Sequence, residues 1–84
     1  MPMEIWVDIV SVDEGIDEER VVYVKDDLTQ EIVSVFVKTE TINFEKHQVK
    51  CVVENKEESL FLVSFPGETP VVKTRITKYI PVKN

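Results

Sequence analysis

Residues 48–65, QVKCVVENKEESLFLVSF, decide the fold class. The first part alternates, with Val49, Cys51 and Val53 on one side of an extended chain, and this pattern is typical of a half-buried strand. The polar run 55–58 predicts a loop of about four residues. Residues 59–65 are almost continuously apolar, which predicts a second strand in a central position. The stretch therefore predicts a β-hairpin.

Strand signals continue upstream of this hairpin. Residues 4–12 (EIWVDIVSV) alternate, and residues 20–25 (RVVYVK) form a short β-branched run, so each predicts a strand. Residues 28–39 fit two interpretations. Asp27 and Gln30 could form the capping box of a helix, whereas the alternation of Val33, Val35 and Val37 favours a strand, which we expect. Residues 41–44 either extend that strand or begin another.

Downstream of the hairpin, Pro66-Gly67 predicts a type II turn, and residues 71–80 predict a last strand that ends at Pro81. Composition agrees with strands throughout, because the chain has sixteen Val and seven Ile but three Leu and no Ala. We expect one domain over residues 1–84. The fold class is all-β, a small antiparallel five- or six-stranded barrel of SH3-like or OB-like type, with a β-sandwich as the second choice.

Charge is distributed unevenly along the chain. The net charge is −6; residues 1–42 hold eleven acidic and three basic side chains (−8), and residues 43–84 hold five acidic and seven basic (+2). An acidic surface disfavours non-specific contact with nucleic acid or an anionic membrane. We therefore expect no membrane partner. The lack of a signal-peptide pattern and the single Cys51 predict a cytoplasmic location.

The sequence has few of the residue types that catalysis and metal binding require. His47 and Cys51 are the only His and Cys, and four strand residues would separate them by about 13 Å, too far to share a metal ion. A nucleophile paired with a base is therefore not expected, and two Gly cannot build a phosphate-binding loop. We expect no catalytic residues, no metal and no cofactor, so the protein is predicted not to be an enzyme.

Two segments could bind a partner. The acidic run 13–19 is predicted to be an exposed loop that presents five carboxylates, those of Asp13, Glu14, Asp17, Glu18 and Glu19. The last strand carries Lys73, Arg75, Lys78 and Tyr79, with Lys73 and Arg75 on one face. Such a strand is either an edge kept soluble by its cations or a site for single-stranded nucleic acid.

These features predict an interaction module. The first hypothesis is a small non-enzymatic β-domain that binds or regulates a protein, or self-associates through an edge strand. The alternative is a nucleic-acid-binding barrel that uses the basic last strand, with Lys46 and Lys50 as further cations and Trp6 or Phe44 as further aromatic residues.

Overall fold

The protein is all-β, as its composition predicts. The computed structural model describes residues 3–15, 18–65 and 72–82, and in these ranges it holds strands and one short 3-10 turn but no α-helix. Consequently no described helix could cross a membrane. The strands are β1 (Met3–Asp8), β2 (Ser11–Glu14), β3 (Glu19–Lys25), β4 (Ile32–Lys38), β5 (Ile42–Asn43), β6 (Gln48–Glu57), β7 (Leu60–Ser64), β8 (Lys73–Ile76) and β9 (Ile80–Pro81); the 3-10 turn is Thr39–Thr41.

The strands form two antiparallel sheets. The large sheet has the order β8-β7-β6-β1-β9, with β5 beside the start of β6, and the small sheet has the order β2-β3-β4. The described strands do not close into a barrel, so the SH3-like or OB-like type stays a prediction. Every pairing is antiparallel, as the short connections indicated.

The strand predicted over residues 4–12 is in fact two strands in different sheets. The change occurs at Ile9 and Val10, whose N–H groups donate to the carbonyl of His47, directly before β6 of the large sheet, and to the carbonyl of Tyr23 in β3 of the small sheet. Ile9 is buried between the sheets, whereas Val10 is exposed. The prediction was wrong here because the alternation of side chains continues while the hydrogen-bonding partner changes.

The predicted hairpin over residues 48–65 is present, but its loop is shorter than expected. Asn55, Lys56 and Glu57 continue β6 and pair with β7 through to Leu60. The reversal is confined to residues 58–59, where Glu58 has a left-handed φ of 54°. The polar side chains of 55–57 suggested a loop, but they lie on an extension of the hairpin that is exposed to solvent.

The predictions for residues 28–44 and for the last strand can also be compared with the structure. The ambiguous segment 28–39 forms strand β4 over Ile32–Lys38 rather than a helix, and residues 42–43 begin the separate strand β5. The last strand is split into β8 and β9, which lie at opposite edges of the large sheet. The predicted turn at Pro66-Gly67 lies outside the described residues.

The core lies between the inner faces of the two sheets. β-Branched side chains dominate it, and Phe65 is its largest fully buried residue. The buried apolar residues are Ile5, Val7, Ile9, Val22, Val24, Val35, Val37, Ile42, Val49, Cys51, Val63, Phe65 and Ile76. This core explains the Val- and Ile-rich composition, because branched side chains pack well between pleated surfaces.

Candidate interaction surfaces

Strand β4 is one of the two edge strands of the small sheet. It pairs with β3 along all seven of its residues, and no other described strand pairs with it. Its sequence, IVSVFVK, contains no Pro or Gly and a single charge at its end, Lys38. Natural edge strands usually carry charges, Pro or bulges that prevent pairing with another chain. β4 has almost none of these protections.

Two hydrogen bonds beyond the ends of the β3–β4 ladder show which backbone groups of β4 are free. Asp26 N–H donates to the Glu31 carbonyl at 2.8 Å, and Thr39 N–H donates to the Glu18 carbonyl at 2.8 Å. Backbone groups point to alternate sides along a strand, so odd-numbered residues of β4 bond to β3 and even-numbered residues face away. The free edge therefore presents the N–H and C=O groups of Ile32, Ser34 and Phe36.

The side chains of these residues add an apolar surface to the edge. Ile32 is 52 % exposed and Phe36 is 51 % exposed, on the outer face of the small sheet. Phe36 lies opposite the half-buried Val21 of β3, and Ser34 lies opposite Tyr23. The edge thus combines unpaired backbone groups with apolar side chains, the two features used in strand addition.

The free side of β8, by contrast, is occupied by the turn between β3 and β4. Asp27 N–H donates to the Arg75 carbonyl at 2.8 Å, and Arg75 N–H donates to the Asp26 carboxylate at 3.1 Å. Thr77 donates both its N–H and its hydroxyl to the Asp27 carboxylate, at 2.8 and 2.9 Å. The backbone of Arg75 and the N–H of Thr77 are consequently not available to another strand.

Asp26 is the residue that joins the two sheets at this turn. It is 7 % exposed, and its Oδ1 accepts hydrogen bonds from the N–H groups of Leu28 and Thr29 at 2.9 and 3.0 Å. Its Oδ2 accepts from the Thr74 hydroxyl and Arg75 N–H, both at 3.1 Å. Burial by itself raises the pKa of Asp26, but these donors outweigh burial and hold the pKa below its ordinary value.

The remaining edge strands carry other protections, and β5, which pairs only with β6, has just two residues. β2 ends in Asp13 and Glu14, whose charges oppose pairing with an acidic chain. β9 contains only two residues, one of which is Pro81, and proline has no N–H to donate. Among the described edges, β4 is therefore the one best suited to accept a strand.

The acidic residues predicted to share a loop are divided among several elements. Asp13 and Glu14 belong to β2, Glu18 to the following turn and Glu19 to β3, while Asp17 lies outside the described residues. Asp13 accepts a hydrogen bond of 2.8 Å from the Tyr23 hydroxyl, and this bond raises the pKa of Tyr23. The prediction of a single exposed loop over 13–19 was wrong because β2 and β3 extend into it.

The basic residues of the last strand are also separated. Lys73 and Arg75 lie opposite Ser64 and Leu62 on the outer face of the large sheet, as the period of two predicted. Lys78 lies in the connection to β9, beyond this strand. Tyr79 packs against the core, where its ring meets that of Phe61 edge-on at 4.8 Å. The four residues do not form one stacking surface.

A different basic and aromatic group lies near β1. The Lys50 ammonium is 5.5 Å from the centre of the Trp6 ring, a cation–π distance, and the register places both residues on the outer face of the large sheet. Trp6 also borders two adjoining half-open depressions of about 230 and 320 Å³. The cations at these depressions are Lys78 and Lys46, and Asp8 lies at the first of them with its carboxylate bonded to Gln48.

The two residue types most often used in catalysis and metal binding lie in different environments. Cys51 is fully buried in the core, and burial raises the pKa of its thiol. His47 is exposed in the turn before β6. Among the described residues, no three His, Cys, Asp or Glu side chains are grouped in a way that could hold a metal ion.

The residue pattern of 28–39 predicts a strand but does not show that this strand, β4, lies at an edge. The available signal was that Ile32 and Phe36 alternate with the buried valines, which indicates a strand apolar on both faces. No family model, curated protein or solved structure matches this chain.

Proposed function

We propose that this protein is a non-enzymatic interaction domain that binds a partner's extended strand along the free edge of β4. The observation that supports the proposal is the row of outward-facing backbone groups at Ile32, Ser34 and Phe36, which no other strand among the described residues pairs with, beside the half-exposed apolar side chains of Ile32 and Phe36. Main-chain hydrogen bonds supply affinity in strand addition, and alternate side chains supply specificity.

A cytoplasmic location is part of this proposal, since the buried Cys51 forms no disulfide and the domain is held by its core. The Cys51 thiol is buried in the core and His47 is exposed in a turn, so these two residues do not form a nucleophile–base pair, and this supports a binding role over catalysis. The acidic side chains of β2 and β3 lie on the same sheet as the β4 edge and would favour a partner with a neutral or basic strand.

The proposal is tested with an edge variant that leaves the β3–β4 ladder intact. Ser34→Pro removes an N–H that faces away from β3, so the domain should still fold, and edge strands tolerate proline at such positions. Ser34→Ala is the matched control, because it removes the hydroxyl and keeps the N–H. Circular dichroism and thermal unfolding establish that both variants fold.

The assay is affinity capture from the protein's own cells with the tagged wild type and both variants. We expect at least one protein, or untagged copies of this chain, to be captured by the wild type and by Ser34→Ala but not by Ser34→Pro. An identical set of captured proteins for all three baits would refute binding through the β4 edge.

A second candidate function is nucleic-acid binding on the outer face of the large sheet. The cation–π pair of Lys50 and Trp6 supports it, since a base could stack beside an indole near a cation. It is tested by titrating single-stranded DNA at several salt concentrations, with Lys50→Glu as the variant and Lys56→Glu as the charge-matched control. Affinity that does not depend on salt, or that Lys50→Glu leaves unchanged, removes this candidate.

A further inference from the structure

The partner strand that best fits the β4 edge is a second copy of β4. We infer that two copies of this protein pair antiparallel through β4 about a twofold axis at Ser34, so that the two small sheets join into one six-stranded sheet. This inference rests on the proposed function, because it names the partner for the same edge.

The sequence of β4 is self-complementary in the way that a twofold axis requires. Residues 32–36, IVSVF, read the same by residue class in both directions, with a large apolar residue, valine, serine, valine and a large apolar residue. In a twofold interface, each residue that contacts a second residue is contacted by its equivalent in return. A register centred on Ser34 meets that condition over the whole stretch.

The same register suits the backbone groups that face the edge. Ser34 pairs with the partner's Ser34, and Ile32 pairs with the partner's Phe36, each through groups that point away from β3. This makes three hydrogen-bonded pairs across the axis. It leaves the carbonyl of Lys38 outside the pairing, where it already accepts a hydrogen bond of 2.7 Å from the Thr41 hydroxyl.

The side chains also match across the axis. Ile32 and the partner's Phe36 lie on the same outer face, so two half-exposed apolar side chains cover each other at each end of the pairing. Ser34 is small, and two copies face each other at the axis without crowding. Lys38 lies beyond this pair on the same outer face, so no charged residue lies within the paired stretch of residues 32–36.

A twofold pair also closes the assembly. Each β4 edge is used once, and the edges at β8, β2 and β9 are occupied, charged or short, as described above. A dimer is therefore the expected end point rather than a growing fibre.

The dimer is tested by sedimentation equilibrium of the purified protein from micromolar to millimolar concentration. We expect a dimer for the wild type and for Ser34→Ala. Ser34→Pro should raise the dimer dissociation constant by about 10–30-fold, because two symmetry-related hydrogen bonds are lost. A wild type that stays monomeric throughout this range would overturn the inference.

The register is tested with single cysteines introduced in β4. In this register the Cα atoms of the two Ser34 residues would lie about 5.5 Å apart, within the range of about 4.4–6.8 Å that disulfides span. The two Ile32 residues, or the two Phe36 residues, would lie about 14 Å apart. With oxidised glutathione as oxidant, Ser34→Cys should form a covalent dimer, whereas Ile32→Cys and Phe36→Cys should not.

Cys51 is buried, so it does not compete in this assay. Equally efficient crosslinking of all three variants, or crosslinking of Phe36→Cys alone, would contradict the register. The two proposals can fail separately. If the wild type is monomeric but captures a cellular protein that Ser34→Pro does not capture, self-pairing is excluded and the proposed function is retained. If the wild type is monomeric and all three baits capture the same proteins, both self-pairing and the proposed function are excluded.

Discussion

Replacing Asp26 with Asn should destabilise the domain far more than the same change at its neighbour Asp27. The carboxylate of Asp26 is buried and accepts four hydrogen bonds, two at each oxygen. In the Asn variant, the amide oxygen can still accept hydrogen bonds from the N–H groups of Leu28 and Thr29. The amide NH₂ group, however, then faces the N–H of Arg75, and both are donors. That partly buried donor then loses its acceptor.

The magnitude follows from these contacts. A hydrogen bond to a charged group contributes about 1.5–3 kcal/mol, and a buried donor left unpaired costs about 1–3 kcal/mol. We therefore expect Asp26→Asn to lower the free energy of unfolding by about 3 kcal/mol and Tm by about 12–24 °C for a domain of this size. Asp27→Asn affects only the exposed Thr77, whose groups water can serve, and should cost less than about 1 kcal/mol.

The effect of Asp26 should also depend on pH with a definite sign. Its folded pKa lies below its unfolded value, so its contribution is complete above the unfolded pKa of about 3.9 and is lost as pH falls through the folded pKa. The assay is urea unfolding, followed by circular dichroism at one protein concentration, from pH 7 to pH 2. Equal losses for Asp26→Asn and Asp27→Asn, or a difference that persists unchanged at the lowest pH, would refute this reasoning.

Three further predictions concern other parts of the fold. Gly15→Ala should destabilise the domain by about 2 kcal/mol or more in urea unfolding, because a Cβ there would overlap the backbone carbonyl of Glu19; a stability equal to wild type would contradict this. Glu58→Gly should stabilise the β6–β7 hairpin by about 0.5–1 kcal/mol, since the left-handed φ of 54° is costly for Glu and free of strain for Gly; a fall in Tm would count against it. Cys51 should resist alkylation by iodoacetamide at pH 8 in the folded protein and react fully in urea, because burial removes access and raises its pKa; rapid reaction of the folded protein would show that the core opens.

The sequence contained enough to predict most strands and the β6–β7 hairpin, but not how the other strands pair. Alternation along β1 and β6, and the apolar runs of β3 and β7, reflect burial of side chains, which is a local property of each segment. The exchange of partners at Ile9 and Val10 leaves that alternation intact, because Ile9 still points into the core while its N–H belongs to the large sheet. A change of sheet was therefore not visible in the pattern.

The candidate edge was predicted least well, for a similar reason. The basic residues of β8 correctly suggested an edge strand, but the turn at Asp26 and Asp27, far away in sequence, occupies its free side. Whether a strand has one neighbour or two depends on such distant contacts. In β4, the apolar Ile32 and Phe36 resembled core residues in the sequence, and only the pairing shows that they lie at an unoccupied edge.

The most direct test of the β4 edge is amide hydrogen exchange measured residue by residue by NMR, in dilute and in concentrated protein. We expect the amides of Val33, Val35 and Val37 to be protected at every concentration, because their N–H groups bond to β3. The amides of Ile32, Ser34 and Phe36 should exchange rapidly in the dilute monomer and become protected as the protein associates. Protection of these three amides in the monomer, or rapid exchange in a protein that already sediments as a dimer, would contradict this expectation.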